Sequence, residues 1–489
     1  MDTTPYHEFV SKTEATLAPF AQKSFTTDTQ TFLNGTPLLK HFQDLWQTPV
    51  GQMKLANRTP LQLERDRILY SSALRKQTEK YHVLYSGLRR IIRNYTTHTM
   101  RTAHVTRAIC KALMLNSDFA EAIAIGSKVG AAPFIHVTKE TASDWLQRRL
   151  REIDQKHASK NPQGKLTKPT QVALFPDAGN AALPKWLAPL ESREIVEQVT
   201  KCVPCAAGDQ VDAAYHSGAE SYWLLCTNPY LRESTRGLYH PETMYGVWRH
   251  SRNTRPRAGS FFHSCTLEDK AHHRITWEHA TYEGIVVQFA DDMTWIIENL
   301  NDANDAALLG GAKTNLFLQL MNSLGDAPLE LQQALVQADA GGLYTYFISD
   351  FVKASQLVLN TNASAERRSA LRAGEADALI GPSPQADLYL DRMRDFLFTN
   401  VFEMSRIKNR NRMLQSVSHV SLDLLYDERE SALPQLVEDR ANLENWPADK
   451  RKRAVDLLSD DVHRAQLSVD VFVSMGDQEV FDFVGIQSF

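Results

Sequence analysis

Residues 97–112 read THTMRTAHVTRAICKA, and their spacing decides the fold class. His98, Arg101 or Thr102, Val105, Ile109 and Ala112 recur every three or four residues. That period lays them along one stripe of a helix rather than one face of a strand. A stripe of this kind turns toward a core, which puts His98 at the head of a core-facing helix. Just downstream, Asp118 and Glu121 have the spacing of a capping box. They predict a second helix through Phe119, Ile123 and Ser127, with Gly126 and Gly130 loosening its end. The same period runs through nearly the whole chain. The expected class is all-α, mainly helical with at most a small β-hairpin.

At 489 residues, with 43% hydrophobic and 23% charged side chains, the chain is too long for one core and has an ordinary globular composition. We read residues 1–55 as an N-terminal arm, 56–330 as a core bearing the motifs, and 331–489 as a further helical lobe packed on it. Within the core, Gln155 to Lys185 is rich in Lys, Asn, Pro and Gly and predicts an exposed insertion. No window offers the roughly 18 uninterrupted apolar residues of a membrane span, so a cytoplasmic protein without a membrane partner is expected. Five scattered cysteines fit a reducing compartment. Cys202 and Cys205 form one Cys-x-x-Cys, which becomes a zinc site only if Cys226, Cys265 or His263 folds beside it; ordinary thiols are the plainer reading. Neither a P-loop nor a Rossmann glycine motif occurs.

A net charge of −4 gives no global argument for nucleic acid. Local charge is more informative. Arg75, Lys76, Lys80, Arg89, Arg90, Arg93, Arg101 and Arg107 stand against Glu79 alone, a second basic stretch covers 148–168, and Arg249, Arg252, Arg255 and Arg257 make a third. Each reads either as a solvated helix face or as a surface for anionic ligands.

Five blocks in order then carry a resemblance. They are Arg58-Thr-Pro with Glu64-Arg-Asp-Arg-Ile-Leu-Tyr-Ser-Ser-Ala-Leu-Arg75; Tyr95-Thr-Thr-His-Thr99; Ala132-Pro-Phe-Ile-His136; Tyr282-Glu-Gly-Ile-Val-Val-Gln-Phe-Ala-Asp-Asp292; and Val471 to Asp477, ending Ser-Met-Gly-Asp. Together they resemble the dGTPase family of HD-type deoxynucleoside triphosphate triphosphohydrolases. The resemblance implies that His98 and Asp292 are inherited metal positions, and that His136 matches a catalytic histidine. The departures fall on the chemistry. Where the family has His-Asp-Leu-Gly-His, this chain reads Ser127-Lys128-Val129-Gly130-Ala131. The position matching a second catalytic histidine is Ser217, with His216 one residue off. Tyr95 replaces an Arg, and Arg75-Lys76-Gln77 stands for Arg-Arg-Leu.

At an effective dielectric near 20, a charge pair about 4 Å apart is worth roughly 4 kcal/mol, and a divalent ion doubles it. Lys128 in place of Asp therefore reverses a large attractive interaction with any metal. Its ammonium is expected to stand where the ion would and to pair with Asp292. The expected function is a nucleotide-binding regulatory pseudoenzyme without a cofactor, its His98 and Asp292 positions empty of metal and His136 and His216 left as catalytic remnants. Arg58, Arg75, Lys76 and Lys128 are the expected contacts for a deoxynucleotide or related anionic ligand. The resemblance also implies a homo-oligomer or a complex with an intact homologue. Two alternatives stand beside it. One is an active dNTP triphosphohydrolase that recruits His104, His136 and Glu140 around Mn, Mg, Fe, Ni or Zn. The other is a structural or single-stranded nucleic-acid-binding subunit.

Overall fold

The computed structural model describes residues 47–49, 51–52, 58–82, 93–160, 282–306, 308–309, 315–359, 380–427, 433–435, 458–459 and 461–485, with isolated positions between 217 and 247 and at 438, 442 and 452. Among the described residues the structure is all-α. The sole extended pairing there is an antiparallel bridge between Tyr81 and Asn94. No helix among them is long and apolar enough to cross a membrane.

Helix α1, Pro60–Leu69, begins on a full capping box: Gln62 N donates to the Thr59 hydroxyl and Thr59 N donates to the Gln62 carbonyl oxygen, with Pro60 at the first helical position. Ser71 caps the short α2, Ser72–Lys76, and a 3-10 turn follows over Gln77–Glu79. Asn94 caps α3, Tyr95–Ala112, by accepting from Thr97 N. The expected stripe is buried at His98, Thr102, Val105 and Ile109. Arg101 and Ala112 are exposed, because the buried arc is narrower than the spacing alone suggests.

Helix α4, Ser117–Gly126, differs from the expectation at its start. Its cap is Asn116, whose side chain accepts from both Asp118 N and Phe119 N. Asp118 and Glu121 instead face Arg65, and Glu121 also pairs with Arg107. From Phe119 to Gly126 every α4 residue except Glu121 is buried, as a helix must be when neighbours cover it on several sides. It packs against α1, α3 and α6, Tyr282–Asp305. Gly126 is fixed by that closeness, since a Cβ there would lie 2.8 Å from the Val247 side chain.

Two apolar clusters organise the rest. The first joins α1, α3, α4 and α6 to α7 (Asn315–Leu324), α8 (Leu329–Val336), α9 (Ala340–Leu359) and α10 (Pro384–Phe396), which runs into a π-helical turn at Leu397–Phe402. The second gathers α5 (His136–Lys160), α11 (Ser405–Asp427), α12 (Asp461–Ser474) and α13 (Asp477–Phe483) around Trp145 and Phe472. Helix α5 continues to Lys160, so the first residues of the stretch read as an insertion are helical. The remainder of that stretch lies outside the described residues.

Candidate functional site

Four segments far apart in sequence meet at one end of α3. The Tyr81–Asn94 bridge, with Tyr95 N donating to Lys80 O and His82 N to Arg93 O, lays residues 80–82 alongside the start of α3. That places His82 against His98, ring on ring, with centroids 4.1 Å apart and 22° between planes, and Tyr95 stacks beyond them. The turn after α4 brings Lys128, and α6 brings Asp291 and Glu298. Those two acids are seven residues apart, two helical turns, and so share one face.

The geometry is a largely buried chain of charges. Lys128 Nζ donates to Asp291 Oδ1 at 2.5 Å, and His98 Nε2 lies 3.1 Å from the same oxygen. The other ring nitrogen, His98 Nδ1, is 2.8 Å from Glu298 Oε2. Arg93 and Arg101 each reach the second Glu298 oxygen at 3.1 Å, and Arg93 also pairs with Asp302 at 3.3 Å. Lys128, His98 and Glu298 are all buried, while Asp291 keeps a partly exposed edge.

Burial alone would discharge these groups, and the partners prevent it. Desolvation pushes the Lys128 ammonium down, but Asp291 more than compensates and holds it above its ordinary value. Desolvation likewise lowers His98, and hydrogen bonds to Asp291 and Glu298 lift it above the ordinary imidazole. Burial would raise Glu298, yet His98, Arg93 and Arg101 keep it low and ionised. Only Asp302 yields: desolvation, with Glu298 and Asp305 adding to it, pushes it up to about 6 despite Arg93.

The expected residues fall out unevenly. His98 and Lys128 meet as anticipated, but the carboxylate between them is Asp291. Asp292, one residue on, is turned by roughly 100° about the helix axis. It pairs with Arg394, at 3.6 Å. Arg58 is taken up by Asp66 at 2.8 Å, Lys76 by Glu479 at 2.6 Å, and Arg75 is exposed, so only Lys128 of the four expected ligand contacts joins the cluster. His136 is the first residue of α5. His216, like Cys202, Cys205, Cys226, Cys265 and His263, lies outside the described residues. His104 sits on an exposed face of α3, away from the buried face that carries His98. Much of the basic run from Arg75 to Arg107 is spent internally, on Glu298, Asp302, Glu121 and Glu479.

Sequence reasoning missed His82, Glu298, Lys80 and Gln77. Glu298 could have been found from its seven-residue spacing to Asp291 on an apolar helix; the others carry no local signal. Gln77 donates to Val129 O at 2.8 Å and Lys80 Nζ to Ala131 O at 2.5 Å. Ser221 accepts from Gly130 N at 2.8 Å and donates to Ser127 O at 3.0 Å. The turn that follows α4 is therefore pinned through its backbone, four of its polar groups finding side-chain partners.

Two sets of atoms invite a metal reading. His82, His98 and Glu298 have ligand atoms within 4.8 Å of one another. Stacked imidazoles, however, direct their in-plane lone pairs side by side, and a cation held at about 2 Å needs them to converge. Two guanidiniums on Glu298 also oppose it. In the second set, around Asp291, Lys128 fills the place of a ligand with a cation, the Ser127 hydroxyl donates to Ala124 O, and Ala131 has no ligand atom. Neither donor set fits a divalent ion.

No family model matches the chain. Its relatives agree in name. A deoxyguanosinetriphosphate triphosphohydrolase-like protein of Caldanaerobacter subterraneus subsp. tengcongensis is 39% identical over 98 residues, which is 20% of this chain and 29% of that protein. One from Desulfatibacillum aliphaticivorans is 43% identical over 79 residues, 16% of this chain and 22% of the relative. A third, from Brucella anthropi, is 39% identical over 98 residues, 20% and 24%. The match thus spans less than a third of the length of these relatives. This chain is related to the deoxyguanosinetriphosphate triphosphohydrolase-like proteins, over a stretch of about a fifth of its own length.

Proposed function

We propose that this chain is a nucleotide-binding regulatory pseudoenzyme of that lineage, in which Lys128 takes the place of a catalytic metal. The observation that carries the reading is the buried Lys128 ammonium on Asp291, with His98 Nε2 on the same carboxylate oxygen. Lys128 on Asp291, with Arg93 and Arg101 on Glu298, already compensates the two carboxylates that a divalent ion would otherwise need to satisfy. The carboxylates are met without a metal, and the hydrolytic step that such an ion assists loses its electrophile. Support for a nucleotide ligand comes from the relatives, which are named for deoxyguanosine triphosphate. In this reading the protein senses a deoxynucleotide and acts on a second copy of itself or on an intact homologue.

The test pairs the native chain with a variant that restores the motif, Ser127→His, Lys128→Asp and Ala131→His. Elemental analysis after purification with added manganese should find the native chain far below one ion per chain and the variant close to one. The native chain should still be stabilised by dGTP, since a ligand at about 100 times its Kd adds roughly 2.7 kcal/mol. Near-stoichiometric metal in the native chain overturns the lysine-for-metal reading. No thermal shift with any of the four dNTPs overturns the nucleotide half.

A further inference from the structure

The turn 131–135 is held in a conformation that its own residues resist. Phe134 and Ile135 have φ of 55° and 39°, left-handed values unfavourable for any side chain and most unfavourable for a β-branched one. Ile135 is moreover buried, against Tyr95 and Ala131. Backbone strain of this kind persists only where the surroundings over-determine it. Here the surroundings come from the far end of the chain.

Asp477 opens α13 and is fully buried. Its Oδ1 accepts from Phe134 N and its Oδ2 from Tyr81 N, both at 2.8 Å. One carboxylate thus grips the strained turn and the segment that carries Lys80 and His82. Further contacts close the same seam. Lys80 Nζ donates to Val473 O at 2.8 Å, and the Phe134 ring packs on Phe481 with centroids 5.2 Å apart. Gly476 comes so near Glu79 that a Cβ would fall 2.5 Å from its carboxylate.

We propose that α12 and α13 form a latch in which Asp477 keeps the 131–135 turn strained, and that opening the latch lets the turn relax, shifting the Lys128–Ala131 wall of the site together with the start of α5. The inference concerns the geometry of the site and stands whether or not a nucleotide binds there. Lys80 faces Asp477, with Lys76 and Glu79 further along that segment and Glu479 on its own helix. The turn 131–135 presents only uncharged residues. Burial pushes the Asp477 carboxyl up to about 7, against the pull of the two N–H groups and Lys80. A carboxyl raised in this way holds its proton more tightly when buried than when exposed, so the closed latch gains stability as pH falls through that value.

Melting temperatures of Ile135→Gly and Ile135→Ala, each with Asp477 intact and with Asp477→Asn, test the latch. Both substitutions remove the same buried side chain, and Ala ordinarily outranks Gly. Strain reverses the order: with Asp477 intact the Gly variant should melt higher by about 1 to 2 °C. With Asn at 477, which turns an amide donor toward one of the two N–H groups, the Gly advantage should vanish or change sign. Ala equal to or above Gly with Asp477 intact overturns the strain. A Gly advantage unchanged by Asp477→Asn overturns the latch. Should the Asn variants not fold, hydrogen exchange of the Phe134 amide in the native chain decides. Its protection, corrected for intrinsic rate, should rise up to about tenfold from pH 8 to pH 6, because the closed latch keeps a proton that an exposed Asp477 releases, and an unchanged or falling protection overturns the proposal.

Discussion

Around Lys128 the core of α3, α4 and α6 encloses its charges, whereas beside Trp145, where α5 meets α11, the ion pair sits at the rim. In the first region Lys128, His98 and Glu298 are buried and depend on one another. In the second, Arg149 lies over the rings of Trp145 and Tyr426 and donates to Asp423, whose side chain is 43% exposed. The difference teaches how each region fails. Losing one member of a buried chain of charges strands its partner in a medium that cannot solvate it, while losing one member of a rim pair leaves its partner to water.

The sharpest way to break this contrast is Asp291→Ala, which strands the buried Lys128 ammonium. It should cost about 3 to 5 kcal/mol by urea unfolding, and adding Lys128→Met should recover much of that, because an apolar pair of similar volume often equals a buried ion pair. A single-variant loss below about 1 kcal/mol would mean that water already reaches these charges.

The next effect is a pH slope. Asp302, pushed up to about 6 from the ordinary 3.8, keeps a proton in the folded chain over a range in which the unfolded chain has lost it. Stability from this group is therefore greatest below about pH 4 and declines as pH rises to about 6, by roughly 3 kcal/mol at most. Asp302→Asn should flatten that part of the stability profile. Asp477, pushed up to about 7, adds a slope of the same sign that continues further and survives the substitution. A profile identical in native chain and variant would refute the assignment. The smallest effect belongs to the second region: Arg149→Leu should cost only about 1 kcal/mol, the worth of a half-exposed ion pair and its ring contacts. A loss as large as that of Asp291→Ala would erase the distinction.

Much of this was legible before the structure, and for local reasons. The three-to-four spacing from His98 to Ile109 is enough for a helix with His98 facing inward, and Lys128 stood out because a cation occupies a position where the resembled motif has an acid. These readings depend on residue type and on period, which neighbours along the chain determine. The Asp291 and Asp292 choice was not legible in that way. One residue turns a helix by about 100°, so which of two adjacent acids faces His98 depends on how α6 rolls against α3 and α4. His82, Lys80 and Asp477 were further out of reach, because what defines them is contact across the chain. Phe134 N meets a carboxylate 343 residues away, and no pattern of residues announces that meeting. The sequence alone determined that helices form and which one carries the histidine. Only the tertiary structure decided which charges close around it and which distant helix holds its turn in place, since burial and partner geometry exist only once the segments pack.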